Sequence, residues 1–214
     1  MPKADNLTLQ IFYGISSPWA YFGARKAAAI AQENGVSLKL RPIRIIEANG
    51  GIPLRQRPDA RQAYHEVELR RWREYLGIPL NLKPTFYPCR TIELAAQAVI
   101  ALQKAGYDAP AFSFAVQQAL WAENRDIADI DTLKEIAKIT VGDAAAKLVV
   151  EEQPANIIEE WHGNLAEAEE RGIFGTPTYV IGKELFWGQD RLDFVDRALK
   201  AAKEKCESMK ETAA

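Results

Sequence analysis

Residues 7–40 read LTLQIFYGISSPWAYFGARKAAAIAQENGVSLKL, and this stretch decides the fold. Positions 7–13 are apolar or alternate with polar residues, which predicts a β-strand. Positions 19–33 are rich in alanine and predict a helix, which an asparagine–glycine pair then ends. Positions 36–40 alternate again and predict a second strand. A strand, a helix and a strand joined by short links form a right-handed βαβ unit.

The middle of the chain loses strand character. Its alanine-rich and periodically apolar segments predict a series of helices, at 59–76, 92–105, 111–121, 131–139 and 143–152. We therefore expect an all-helical unit in this part of the chain.

Strand patterns return near the C-terminus. Short β segments are predicted at 178–181 and 184–187, joined by a glycine-led pair that is typical of a II′ hairpin. A helix is predicted before them, at 154–171, and another after them. For the last helix the sequence predicts Asp190 as the N-cap, with Asp193 completing an arrangement that resembles a capping box.

The order of these elements is that of thioredoxin with helices inserted in its middle. We predict an α/β protein with a thioredoxin-like fold, in which an all-helical domain is inserted between the βαβ and αββα halves. The loss and return of strand patterns set the boundaries. Residues 1–45 and 154–214 form the predicted thioredoxin-like domain, and residues 46–153 form the inserted helical domain.

Composition excludes several classes of function. Of the 214 residues, 48% are hydrophobic, which is enough for a sizeable core, and the net charge of −2 offers no basic footprint for nucleic acid. No segment is predicted to be a signal peptide or a membrane span. Cys89 and Cys206 lie far apart and outside any C-x-x-C, so we expect no disulfide framework, no metal site and a reducing cytoplasm.

The first candidate functional motif is Ser17-Pro18-Trp19-Ala20, where the first strand meets the first helix. Unpaired N–H groups and the helix dipole favour negative charge at a helix N-terminus. Redox proteins of the thioredoxin type place a reactive cysteine there. Ser17 and Ala20 stand at the two cysteine positions, which excludes dithiol chemistry. The Ser17 hydroxyl can still donate to an incoming thiolate, although a simple N-cap with proline at N1 is the alternative.

The second motif is Gly175-Thr176-Pro177-Thr178, just before the third predicted strand. A cis peptide bond at Pro177 would turn the Thr176 main-chain groups outward, where an extended peptide could pair with them. A trans proline that merely begins a strand is the alternative, and the sequence leaves both open.

The third motif is Phe186-Trp187-Gly188-Gln189-Asp190-Arg191, at the start of the last helix. Its amide N–H groups could hold a carboxylate, and Asp190 could hold an ammonium group. Together they suit the zwitterionic γ-glutamyl end of glutathione. A plain helix cap is the alternative, and both roles are compatible.

These motifs, in this order and spacing, resemble the 2-hydroxychromene-2-carboxylate isomerases and the similar kappa-class glutathione transferases, in the DsbA-like branch of the thioredoxin superfamily. The matching segments are Ser17-Pro18-Trp19, Gly175-Thr176-Pro177-Thr178 and Trp187-Gly188-Gln189-Asp190-Arg191-Leu192. The chain departs from the family at Gly14 and Ile15, where many members carry an acidic residue. It also departs at Arg55-Gln56-Arg57-Pro58, where characterised isomerases carry asparagine.

The resemblance implies glutathione as cofactor, bound by Ser17, Thr176, Pro177, Gly188, Gln189, Asp190 and Arg191. Ser17 is then the catalytic residue that stabilises the thiolate. The implied reaction interconverts a 2-hydroxychromene-2-carboxylate and a trans-o-hydroxybenzylidenepyruvate by reversible thiolate addition.

A binding site for a small aromatic carboxylate needs a cation to pair with the carboxylate and flat side chains to pack against the ring. Our candidates for these roles are Arg55, Arg57 and Arg90 for the carboxylate, with Trp19 and Tyr87 for the ring. Each arginine taken singly is also consistent with ordinary surface charge.

Two alternatives stay open at this stage. One is a kappa-like glutathione transferase or peroxidase that acts on hydrophobic electrophiles and consumes glutathione. The other is a non-catalytic thioredoxin-fold protein that binds thiols or peptides. By analogy with the family, we expect a homodimer.

Overall fold

A computed structural model describes residues 7–212 of the protein, with the side chains of all of them except 206, 207 and 209–212. The strands are β1 (Thr8–Tyr13), β2 (Ser37–Pro42), β3 (Thr178–Ile181) and β4 (Glu184–Trp187). The helices are α1 (Pro18–Glu33), α2 (Asp59–Leu76), α3 (Glu93–Lys104), α4 (Ala109–Trp121), α5 (Ile130–Val141), α6 (Asp143–Ala146), α7 (Ala155–Glu170) and α8 (Leu192–Thr212). Short 3-10 turns occupy Glu47–Asn49, Leu54–Gln56 and Gln189–Arg191.

The four strands form one mixed sheet in the order β2-β1-β3-β4. β1 and β2 are parallel, with Ile11 opposite Leu40, whereas β3 runs antiparallel to both of its neighbours. The link from β3 to β4 turns at Gly182, whose φ of +60° suits a residue without a side chain. The fold is therefore the expected α/β thioredoxin-like one, with a helical insertion between β2 and β3. The boundaries at 45/46 and 153/154 stay predictions, and residues 1–6 and 213–214 lie outside the described residues.

Helix α1 begins and packs as its sequence indicates. Ser17 is the N-cap and Pro18 follows at the first helical position, where its missing N–H costs no hydrogen bond. Gly23 lets α1 approach β3 closely, because a β-carbon on Gly23 would overlap the Tyr179 hydroxyl group. The helix is thereby fixed directly above the strand that follows Pro177.

Two polar contacts join the inserted helices to the sheet. The Tyr13 and Ser113 hydroxyl groups are 2.7 Å apart and buried, which ties β1 to α4. On the outer edge of β2, the Leu40 N–H donates to Gln103 Oε1 at 2.8 Å, and Gln103 Nε2 donates to the Leu40 carbonyl at 3.1 Å. The amide of α3 thus satisfies main-chain groups that an edge strand would otherwise leave unpaired.

Two local predictions are wrong. The segment 143–152 forms a helix only as far as Ala146, and Leu148 and Val149 then close turns through their N–H groups. The capping box does not form, because Gly188, with φ of +101°, begins a 3-10 turn that contains Asp190. Asp193 instead accepts a hydrogen bond from Lys26 on α1 at 2.6 Å. Among the helices of the described residues, none is both long enough and apolar enough to cross a membrane.

Candidate active site

Ser17 lies at the start of α1 with its side chain partly exposed. Its Oγ accepts a hydrogen bond from the Ala20 N–H at 3.3 Å, and its own N–H donates to the Gly14 carbonyl at 2.9 Å. Since the cap uses only an acceptor lone pair of the hydroxyl, the O–H proton can be donated to another group. A negatively charged acceptor would also face the positive end of a 16-residue helix.

Gly14 brings the first two motifs together. The peptide bond between Thr176 and Pro177 is cis. A β-carbon built on Gly14 would lie 3.7 Å from Ser17 Cβ and 3.9 Å from Thr176 Oγ1. The turn that carries Ser17 and the loop that carries Thr176 and Pro177, called the proline loop below, therefore lie side by side at the same end of the sheet.

The third motif is hydrogen-bonded to the second. The Gly188 N–H donates to the Pro177 carbonyl at 2.9 Å, and the Arg191 N–H donates to the Gly188 carbonyl at 3.1 Å. Asp190 forms an ion pair with Arg191 at 3.0 Å, and their side chains are 40% and 51% exposed. This pair leaves both charged groups accessible beside the proline loop, whereas the Gln189 residue is buried.

The main chain of Thr176 has unused hydrogen-bonding capacity. Within residues 7–212, neither its N–H nor its carbonyl has a protein partner. The neighbouring Thr178 hydroxyl donates to the Gly175 carbonyl at 2.7 Å, which holds the loop from the other side. Gly175 lies under Trp187, because a β-carbon there would overlap the indole ring. An extended ligand could therefore pair with Thr176 without displacing an existing hydrogen bond.

The candidate substrate residues form a connected group beside α1. The Trp19 ring contacts His65 edge to face, with centroids 5.4 Å apart. Burial lowers the pKa of His65, and the charge of Arg57 lowers it further. Burial raises the pKa of Tyr87, and the charges of Arg57 and Arg55 oppose that rise. His65 thus links Trp19 with Arg57, and Tyr87 lies within electrostatic range of both Arg57 and Arg55.

Arg90 interacts with a different part of the chain. Its guanidinium forms an ion pair with Asp126 at 2.9 Å, and its side chain is 73% exposed. By contrast, no ion pair involves Arg55 or Arg57 in the described part of the chain, although Arg57 Nε donates to the Ile52 carbonyl at 2.9 Å. The free positive charge in this region therefore comes from Arg55 and Arg57.

Sequence reasoning missed two features of this region. No sequence motif pointed to His65, whose ring packs against Trp19 and whose pKa is lowered by burial and by the nearby charge of Arg57. Beneath the proline loop, Ser113 and Gln117 of α4 line a small cavity of about 30 Å³, together with Pro177. The signal for the cavity was available, because these two polar residues lie four apart on the buried face of a helix.

The thiol of Cys89 is not poised for reaction. Among the side chains that the structure describes, no group of three or more His, Cys, Asp or Glu residues could hold a metal ion. Cys89 is a free, half-buried thiol. Burial raises the pKa of Cys89 to about 11, and the charge of Asp126 adds to that rise. A thiol with this pKa is almost fully protonated at neutral pH.

Comparison with known proteins finds relatives that match nearly the whole chain. A 2-hydroxychromene-2-carboxylate isomerase from Sphingobium xenophagum is 29% identical over 198 residues, which cover 90% of this chain and 97% of that protein. One from Pseudomonas putida is 27% identical over 202 residues, covering 90% and 94%.

Solved structures share the fold. A 2-hydroxychromene-2-carboxylate isomerase superposes with a TM-score of 0.69 at 21% identity, covering 94% of this chain and 98% of the other. The cytosolic disulfide reductase DsbM of Pseudomonas aeruginosa, solved with GSH, superposes with a TM-score of 0.66 at 19% identity, covering 91% and 100%. The DSBA-like thioredoxin domain matches residues 8–200, nearly the whole sequence. The chain belongs to the family of DSBA-like thioredoxin domains.

Proposed function

We propose that this protein is a glutathione-dependent isomerase that interconverts a 2-hydroxychromene-2-carboxylate and a trans-o-hydroxybenzylidenepyruvate. One observation carries the proposal: the Ser17 hydroxyl caps α1 beside Thr176, across Gly14, with Ala20 at the second cysteine position of the redox relatives. Such a site can stabilise a thiolate supplied by a cofactor but cannot form a dithiol of its own. The full-length similarity to isomerases from two genera supports the same reaction.

The residues around the proline loop fit glutathione. The free N–H and carbonyl of Thr176 match the main chain of an extended peptide. The exposed carboxylate of Asp190 matches its ammonium group, and the exposed guanidinium of Arg191 matches a carboxylate. The GSH in the related DsbM structure supports this assignment.

Bound glutathione would supply a thiolate nucleophile for reversible addition to a conjugated carbon. The protein's part is electrostatic. The Ser17 O–H donates to the sulfur, and the start of α1 provides further positive potential. A charge-assisted hydrogen bond of this kind contributes about 1.5–3 kcal/mol.

We assign the substrate carboxylate to Arg55 and Arg57, and the aromatic ring to Trp19 and Tyr87. The two arginines form no ion pair among the residues described, so no ion pair has to be broken before substrate binds. Arg90 already pairs with Asp126, which makes it the weaker candidate.

Turnover with a measured glutathione balance tests the proposal. We expect isomerisation that requires glutathione and leaves its concentration unchanged over many turnovers. Loss of glutathione at the rate of substrate loss would instead identify the transferase or peroxidase alternative. Absence of turnover with several aromatic electrophiles, together with tight peptide binding, would identify the non-catalytic alternative.

The carboxylate assignment has its own test. Arg57→Gln should raise KM for the carboxylate substrate by about tenfold or more, the loss of one charge-assisted hydrogen bond. Arg70→Gln is the matched control, because Arg70 lies on the exposed side of α2 and pairs with Glu66 at 3.5 Å. An unchanged KM in Arg57→Gln would refute the role of Arg57.

We further propose a cytoplasmic homodimer that takes part in aromatic catabolism, on the strength of the family resemblance. Light scattering coupled to size-exclusion chromatography tests the dimer. A mass near the 23.9 kDa of one chain would refute it.

A further inference from the structure

The buried amide of Gln117 has no partner. The residue is 1% exposed, and within residues 7–212 neither its Nε2 nor its Oε1 is hydrogen-bonded. Buried polar side chains in folded proteins are hydrogen-bonded in the large majority of cases, because an unpaired group forfeits its hydration. An orphaned amide in the interior therefore points to a ligand or solvent partner.

The cavity that Gln117 lines adjoins the proposed glutathione site. Its wall includes Pro177, next to Thr176, and Ala20, whose N–H donates to Ser17 Oγ. From these residues the cavity extends between the sheet and helices α1 and α4. A group held there would belong to a molecule that also reaches the Ser17 end of α1.

The wall of the cavity selects for a neutral, hydrogen-bonding group. None of the residues that line it is charged. Most of the wall is aliphatic or aromatic, including Ile11 and Leu40. The Tyr13 and Ser113 hydroxyl groups bond each other at 2.7 Å, and burial raises the pKa of Tyr13 well above its usual range, so Tyr13 stays neutral. A charged ligand group would be left without a counter-ion here.

The Gln117 amide offers N–H donors at Nε2 and an acceptor at Oε1, and a hydroxyl group can pair with either of them because it both donates and accepts. We propose that Gln117 binds a ring hydroxyl of the substrate. The cavity, at about 30 Å³, admits such a hydroxyl group but not the ring, and thereby selects for an ortho-hydroxylated aromatic substrate. This inference rests on the proposed function, whose open-chain substrate carries such a phenolic hydroxyl. Gln117 then discriminates hydroxylated from non-hydroxylated rings and takes no part in thiolate formation.

Two unreactive probes test the assignment without turnover. trans-2-Hydroxycinnamate and trans-cinnamate share a ring and a carboxylate and differ in one hydroxyl group. Their dissociation constants are measured by calorimetry on the full chain. We expect the wild-type protein to bind the hydroxylated probe about five- to tenfold more tightly, the usual effect of one hydrogen bond. In Gln117→Met, which keeps the shape but not the amide, the ratio should fall to within about twofold of one.

Gln118→Met is the matched control. Gln118 is the next residue on α4, and its Nε2 donates to Glu123 at 2.7 Å, away from the cavity. The probe ratio should stay at the wild-type value in this variant. The melting temperature without ligand shows whether each variant is folded.

Two results would overturn the assignment. They are equal binding of the two probes to the wild type, or a probe ratio that Gln117→Met leaves unchanged. Either result would mean that the amide has a purely structural role. If Gln117→Met does not fold, Gln117→Leu takes its place in the same measurements. Failure of glutathione-dependent turnover with an intact probe ratio would refute the proposed function and leave this site standing.

Discussion

Replacing Ser17 with alanine separates its role in capping α1 from its proposed role at the thiolate. The capping bond from the Ala20 N–H is long, at 3.3 Å, so its loss should cost only about 0.5–1 kcal/mol of the free energy of unfolding. The hydrogen bond to a bound thiolate is stronger, about 1.5–3 kcal/mol, which corresponds to about one to two units in the thiol pKa. The variant should therefore fold normally but lose most of the bound thiolate.

The expected size of that loss follows from the thiol pKa. A cysteine thiol has a pKa near 8.5, which leaves about 3% thiolate at pH 7. A bound thiol at a pKa of about 6.5–7.5 would be roughly one quarter to three quarters ionised at the same pH. Absorbance of the bound thiolate near 240 nm, followed from pH 5 to 10, measures this directly. We expect the midpoint in Ser17→Ala to move up by about one to two units.

Ser16→Ala is the control, because it removes a neighbouring hydroxyl and leaves the cap of α1 intact. Its midpoint should equal that of the wild type. An unchanged midpoint in Ser17→Ala, with glutathione still bound, would refute the thiolate role and with it the catalytic assignment.

Three further predictions concern the scaffold and are checked by urea unfolding. Gln103→Leu should lower the free energy of unfolding by about 2 kcal/mol, because both buried main-chain groups of Leu40 lose their partners; a change below about 0.5 kcal/mol would contradict this. Gly23→Ala should give a net loss of about 1 kcal/mol, since overlap with the buried Tyr179 hydroxyl outweighs the better helix propensity of alanine, and a gain in stability would contradict it. His65→Gln should reduce the loss of stability between pH 7 and pH 5. Burial lowers the folded-state pKa of His65, so the unfolded chain takes up the proton first as pH falls below about 6.5, and an unchanged pH profile would contradict this.

Local patterns predicted the sheet well, because strand alternation and turn type depend on residues that are close together in the sequence. The segments 178–181 and 184–187 are strands at the expected bounds, with Gly182 at the turn. The capping prediction at Asp190 failed for a physical reason. Gly188 adopts a positive φ, which starts a 3-10 turn two residues early, and Asp190 then pairs with Arg191.

The site was less accessible to local reasoning, because its residues meet through tertiary packing. The approach of Thr176 to Ser17 depends on how β3 pairs with β1. The contact of Trp19 with His65 depends on where α2 packs, which no pattern within α2 encodes. Likewise, the pairing partner of Arg90 lies 36 residues away in the sequence.

The cavity has two walls of different origin. Tyr13 and Tyr179 belong to the sheet, whereas Ser113 and Gln117 belong to a single inserted helix. Under the assignments proposed above, mutations on one face of that helix would change which substrate binds without altering Ser17 and the start of α1, which stabilise the thiolate. Descendants of one ancestral gene could thus acquire new substrates while inheriting the same chemistry.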